Sequence, residues 1–193
     1  MRIFIALDIP QEIRSRIIRF CEGLRAFAPD ANWVRPESFH LTLKFVGEKS
    51  EADVESLKSA LHGLQARPTT VAFRGLGFFP NPKAPRVFWV GVHGDEHLPA
   101  LALAVDQAAS ALGIPREEHA FHPHLTLARA GSGSPRPRPG ERSNPRLKRL
   151  MDKLSSFPDP DFGTMTAREF YLYQSQLSPA GARYTRLERF ALG

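Results

Sequence analysis

A two-lobed fold of strands and helices, its lobes related by a pseudo-twofold axis, is the architecture predicted by this sequence of 193 residues. Three observations point to it. Short apolar runs alternate with amphipathic stretches at helical spacing along most of the chain. The order helix, His-Leu-Thr-Leu strand, helix, strand, turn, strand then occurs twice. His40-Leu41-Thr42-Leu43 returns 84 residues later as His124-Leu125-Thr126-Leu127, and the turn Pro82-Lys83-Ala84-Pro85-Arg86 is echoed 97 residues later by Pro179-Ala180-Gly181-Ala182-Arg183. The two spacings differ by 13 residues, about the length of the Gly/Ser/Pro/Arg-rich stretch within 130–144, which is therefore expected to be an insertion in the second copy. A four-residue identity between two amphipathic strands also arises by coincidence; the shared order of elements is what favours an internal duplication.

The elements follow in order. Residues 2–9 form a strand, and Pro10 then starts a helix to about Phe27, with Ile13, Ile17, Phe20 and Leu24 at helical spacing. Trp33 and Val34 suggest a short strand, and His40 to Val46 a stronger one. Glu51 to Gln65 is helical, with Val54, Leu57, Leu61 and Leu64 on one face. Val71 to Phe79 and Arg86 to Val92 are strands joined by a proline-rich turn, and Leu98 to Leu112 is a helix that Gly113 ends. His124 to Ala128 is a strand and Pro145 to Phe157 a helix. Phe170 to Leu177 and Tyr184 to Phe190 close the chain as a strand pair around Ser178-Pro179-Ala180-Gly181.

Composition narrows the function classes. A charged fraction of 24% and a hydrophobic fraction of 42% are those of an ordinary globular protein. A single cysteine, Cys21, excludes an intrachain disulfide and a cysteine-based zinc site. No apolar run reaches the ~18 residues of a membrane span. The N-terminus resembles a strand rather than a signal peptide, so a cytoplasmic protein is expected. The net charge of +6 is concentrated between Arg129 and Lys153, where eight basic residues face two acidic ones. That segment is expected to guide a polyanion, with a solvated loop as the alternative.

The paired motifs carry the chemistry. On a strand, residues i and i+2 share a face, so each motif turns His and Thr one way and its two leucines the other. If the lobes are twofold-related, His40, Thr42, His124 and Thr126 line one cleft. Two histidines there suit concerted general acid–base catalysis at a phosphodiester: a neutral imidazole takes a proton from the attacking oxygen and an imidazolium protonates the leaving one. The threonine hydroxyls would donate to phosphoryl oxygens, and Arg129 is the candidate cation. No nucleophilic Ser or Cys and no metal is required. His119, His122 and His124 form a spacing that could bind a metal, but no carboxylates or cysteines complete it. His62, His93 and His97 are expected to be structural or exposed, and Cys21 to be an inert core residue. A non-catalytic RNA-binding module is the alternative from another class.

In this context the chain resembles the two-histidine (2H) phosphoesterase superfamily, and within it the RNA 2′,3′-cyclic phosphodiesterases, also called 2′-5′ RNA ligases. The resemblance is carried by residues 1–7, by Asn32 to Gly47 with its first HxTx motif, by Phe79 to Pro82, by Arg86 to Val92, by Phe121 to Arg129 with the second motif, and by Gly181 to Tyr184. It implies one bilobal α+β domain over 1–193, with two antiparallel sheets around a central cleft. The implied reaction is hydrolysis of a terminal 2′,3′-cyclic phosphate to a 2′-phosphate, with reversible 2′-5′ joining of RNA ends; another nucleotide phosphodiester is the alternative substrate. It implies no cofactor, neither ATP nor an essential metal, in a monomer. No P-loop or adenylation motif is present. By motif position His40 and His124 are the catalytic pair, Thr42, Thr126 and Arg129 bind phosphate, and Phe45 stacks on the base. The spacing assigns acid and base to neither histidine; His40 is taken as the acid toward the 3′ oxygen and His124 as the base for water. Strand parity conflicts with the two remaining roles. An odd offset from the histidine puts Phe45 and Arg129 on the leucine side unless a bulge re-aims them, whereas Lys44 has the parity of the cleft.

Overall fold

The computed structural model describes residues 1–82, 85–130, 145–178 and 181–193; the basic insertion and the tips of both proline-containing turns lie outside them. The described chain runs β1 (Arg2–Asp8), α1 (Gln11–Glu22), β2 (Ala31–Trp33), β3 (His40–Glu48), α2 (Glu51–His62), β4 (Thr69–Phe79), β5 (Val87–Gly94), α3 (His97–Ser110), β6 (His124–Ala130), α4 (Pro145–Leu154), β7 (Asp161–Ala167), β8 (Glu169–Ser178) and β9 (Gly181–Ala191). The strands form two antiparallel sheets, β3-β1-β8-β9 and β2-β6-β5-β4-β7, so the fold is α+β with one HxTx strand in each sheet.

The lobes are not the two halves of the chain. The β4–β5 hairpin of the first copy pairs with β6 of the second, and the β8–β9 hairpin of the second copy pairs with β1 of the first. Each sheet is thus completed by the other copy's hairpin, which is why neither copy closes a core alone.

Local signals account for most boundaries. Ser50 caps α2, its hydroxyl accepting from the Asp53 amide while the Asp53 carboxylate accepts from the Ser50 amide. Gly113 has φ +76°, a left-handed conformation, just beyond α3. Helix α1 stops at Glu22 rather than near Phe27, because the chain tightens at Gly23 into a separate 3-10 turn, Arg25–Phe27. Strand β7 has no counterpart among the expected elements: Gly163 (φ +113°) and a register shift against β4 space its buried Phe162 and Met165 three apart, hiding the alternation of a strand.

Leu41, Leu43, Leu125 and Leu127 are all buried in one core with residues of α1, α2 and α3. The other face of the four-stranded sheet carries a smaller apolar cluster of Phe4, Ala6, Tyr171 and Tyr173, with Tyr184 against it. No helix among the described residues is long and apolar enough to cross a membrane.

Candidate active site

Both HxTx strands break their alternation at the same point. Along β3, Ala6 of β1 faces Thr42 and Ile5 faces Lys44, leaving Leu43 without a partner. Along β6, Trp89 of β5 faces Thr126 and Phe88 faces Ala128, leaving Leu127 without one. Each is a one-residue bulge, and each turns the residue five positions after the histidine onto the histidine's face. Phe45 accordingly stands 61% exposed, and Arg129 is exposed too. The parity conflict is resolved in favour of both residues.

The same bulge corrects the expectation for Lys44, which points into the protein rather than into the cleft. It is 2% exposed, and its ammonium donates to Asp106 Oδ1 at 2.6 Å and to the Pro115 carbonyl at 2.9 Å, with Glu117 3.7 Å away. Asp106 also accepts from Arg116 and from the Glu117 amide. Burial raises its pKa, but the Lys44 hydrogen bond and these other donors outweigh that and hold it below the usual carboxylate range. The pair ties β3 to α3 and to the segment leading to β6.

The two histidines are held alike. His40 Nδ1 lies 2.7 Å from the Ser38 carbonyl and His124 Nδ1 lies 2.9 Å from the His122 carbonyl, each two residues upstream. A carbonyl only accepts, so Nδ1 carries the proton in both and Nε2 keeps its lone pair. Both rings rest on aromatic floors. Phe4 lies 4.7 Å from His40, with Tyr184 edge-on at 5.1 Å. Phe79 lies 4.8 Å and Trp89 6.3 Å from His124. Burial pushes His40 down to about 4, helped by the charge of Arg129 and opposed by the Ser38 carbonyl and Asp8. Burial also lowers His124, again with Arg129 contributing. Both imidazoles are therefore neutral at pH 7 in the free protein.

Arg129 joins the two walls. Strands β3 and β6 pack against each other, and the Arg129 charge acts on His124 of its own strand and on His40 and Tyr184 of the other sheet. His40, Thr42 and Phe45 thus share one face of β3, and His124, Thr126 and Arg129 one face of β6, with the Arg129 charge reaching His40. Such a set can accept one proton, deliver another and hold the charged oxygens of a phosphodiester.

Other expectations sort as follows. His122 and His124 have ring centroids 6.4 Å apart, and among the described residues no three His, Cys, Asp or Glu side chains are placed to hold a metal. Cys21 is buried in α1, its thiol pushed up to about 12 by burial. The basic insertion lies outside the described residues.

Several neighbours of His40 escape sequence reasoning. Asp8 faces it across the β1–β3 ladder and accepts from Arg14 Nη2 at 3.3 Å and from Arg186. Arg14 also donates to the carbonyls of Ile9 and Pro36, bracing the 3-10 turn Pro36–Ser38 that presents the Ser38 carbonyl to His40. Strand β1 is buried along both faces from Ile3 to Leu7, so no alternation marks Asp8 as a cleft residue. Asn32, exposed and opposite Arg129 in β2, has only its place in the family-like segment as a signal.

Comparison with known proteins extends the picture. The LigT like Phosphoesterase family model matches twice in tandem, over residues 7–89 and 90–184, as a duplicated chain requires. The chain is 34% identical over 190 residues to an RNA 2′,3′-cyclic phosphodiesterase of Archaeoglobus fulgidus, covering 98% of this chain and 99% of that one. Among solved structures, TT0787 of Thermus thermophilus superposes with a TM-score of 0.77 at 30% identity, covering 100% of this chain and 98% of that one. E. coli LigT complexed with 3′-AMP gives 0.75 at 29% identity, covering 99% and 97%.

Proposed function

The chain belongs to the LigT-like phosphoesterase family, and from that premise we propose that it hydrolyses the 2′,3′-cyclic phosphate of an RNA end to a 2′-phosphate. The observation that carries the reading is the matched pair of histidines, each with Nδ1 spent on a backbone carbonyl and Nε2 left for substrate. His124 Nε2 takes a proton from water as the water oxygen bonds to phosphorus. The bond from phosphorus to the 3′ oxygen breaks, and His40, protonated at Nε2 once the anionic phosphodiester is bound, gives that oxygen a proton. Asp8, which faces His40 across the β1–β3 ladder, favours the imidazolium there against the opposing charges of Arg129 and Arg14, and on that contact His40 is assigned as the acid. Thr42, Thr126 and Arg129 hold the non-bridging oxygens, and Phe45 carries the base of the terminal nucleotide. A 5′-hydroxyl in place of water gives the 2′-5′ joining reaction by the same two transfers. No cofactor enters either reaction.

We take residues 1–193 as one bilobal domain, because the exchanged hairpins complete both sheets within one chain. The test is product analysis on an RNA bearing a 2′,3′-cyclic phosphate, in EDTA. A 2′-phosphate is expected, and His40→Ala or His124→Ala should each lower kcat by at least ~10²-fold. A 3′-phosphate product, or either variant turning over at the parent rate, would overturn the assignment.

A further inference from the structure

Beside His40 lies a pocket of about 170 Å³ whose lining includes none of Thr42, His124, Thr126 and Arg129. Asp8, Arg14, Glu37, His40, Tyr184 and Arg186 contribute to its lining, and Phe45 does not. Its charges balance: the carboxylates of Asp8 and Glu37 stand against the guanidiniums of Arg14 and Arg186, and Asp8 is paired with both arginines. Such a pocket has little net pull on an anion. Its walls are flat instead. Tyr184 is half-buried and edge-on to the His40 ring. The Arg186 guanidinium lies 4.4 Å from the centre of the Tyr171 ring and donates to Tyr173 Oη at 3.2 Å, while its side chain is 53% exposed. A guanidinium already stacked on one side and fixed by two partners offers its other plane to a guest.

A neutral, planar guest rich in hydrogen-bonding groups suits these walls. We propose that the pocket takes a second nucleobase of the RNA, so that the protein acts on an end of two or more nucleotides in preference to a cyclic mononucleotide. This rests on the proposed function. Stacking of one base on such a platform corresponds to a preference of about ten-fold or more.

The experiment compares kcat/KM on a dinucleotide ending in a 2′,3′-cyclic phosphate with that on the cyclic mononucleotide, for the parent protein, Arg186→Met and Arg186→Lys. The parent should favour the dinucleotide about ten-fold or more. Both variants should lose most of that preference; because Arg186 also pairs with Asp8 beside His40, the readout is the ratio of the two substrates within each variant, and an unchanged circular dichroism spectrum reports that they fold. Equal use of the two substrates by the parent overturns the subsite. So does a preference retained by Arg186→Met, or one retained by Arg186→Lys, which would make the contact a charge rather than a plane. No turnover of either substrate by the parent would sink the proposed function itself.

Discussion

The depressed pKa of His40 can be turned into a number that a bound phosphodiester must supply. With a pKa of about 4, roughly one molecule in 10³ carries the imidazolium at pH 7, so an acid role at neutral pH needs about three pKa units, or about 4 kcal/mol. A single negative charge about 4 Å from the ring, at an effective dielectric constant near 20, contributes about 4 kcal/mol. Substrate binding should therefore lift His40 to near 7, and the same linkage makes phosphate binding favour the protonated ring. The assay is an NMR titration of the imidazoles, free and with a saturating 2′-nucleotide. His40 should titrate near 4 with its proton on Nδ1 when free, and at least two units higher when bound. In turnover, the alkaline limb of kcat/KM, which reports the free protein, should lie at lower pH than that of kcat. Stability follows with a definite sign. The folded pKa lies below the unfolded value near 6.5, so the unfolded chain binds the extra proton, and stability falls as pH drops from about 6.5 to about 4, by at most about 3 kcal/mol. A free His40 titrating near 6.5, or one that the nucleotide leaves unmoved, would refute the reasoning.

Two further perturbations test how the site is held. Asp106→Asn leaves the buried Lys44 ammonium only the more exposed Glu117 carboxylate, 3.7 Å away, as a counter-charge, whereas Lys44→Met leaves Asp106 its bonds to Arg116 and Glu117. Urea unfolding should give a loss of about 3–5 kcal/mol for the first and a clearly smaller one for the second; equal losses would mean that the ammonium is not the costly partner. Arg14→Gln releases the Pro36 carbonyl that positions the turn before His40, and should lower kcat about ten-fold with little change in KM and a shifted His40 titration. An unchanged kcat and titration would remove Arg14 from any positioning role.

The facing of the candidate residues was legible because a period of two, applied to a four-residue motif, separates His and Thr from the buried leucines without knowledge of the rest of the fold. The fifth position was not. The bulges at Leu43 and Leu127 depend on how β1 and β5 pair with these strands, a tertiary property with only a faint local trace: two consecutive buried residues in each strand. Lys44 misled for the same reason, since a lysine with cleft parity gives no hint of a carboxylate waiting on α3. The exchange of hairpins was invisible because antiparallel pairing rewards any partner of matching pattern, and β4–β5 and β8–β9 are alike in pattern.

Phe45 and Arg129 occupy counterpart positions, and that has a consequence for how a substrate is read. A site with true twofold symmetry would hold a phosphodiester equally well in either of two orientations, and half of all encounters would present the wrong oxygen to the acid. On the proposed function, an apolar plane at one position and a cation at its counterpart would lift this degeneracy, so that two like histidines would each take a direction. Exchanging the two side chains, Phe45→Arg with Arg129→Phe, would on this view not abolish the site but turn its guest around.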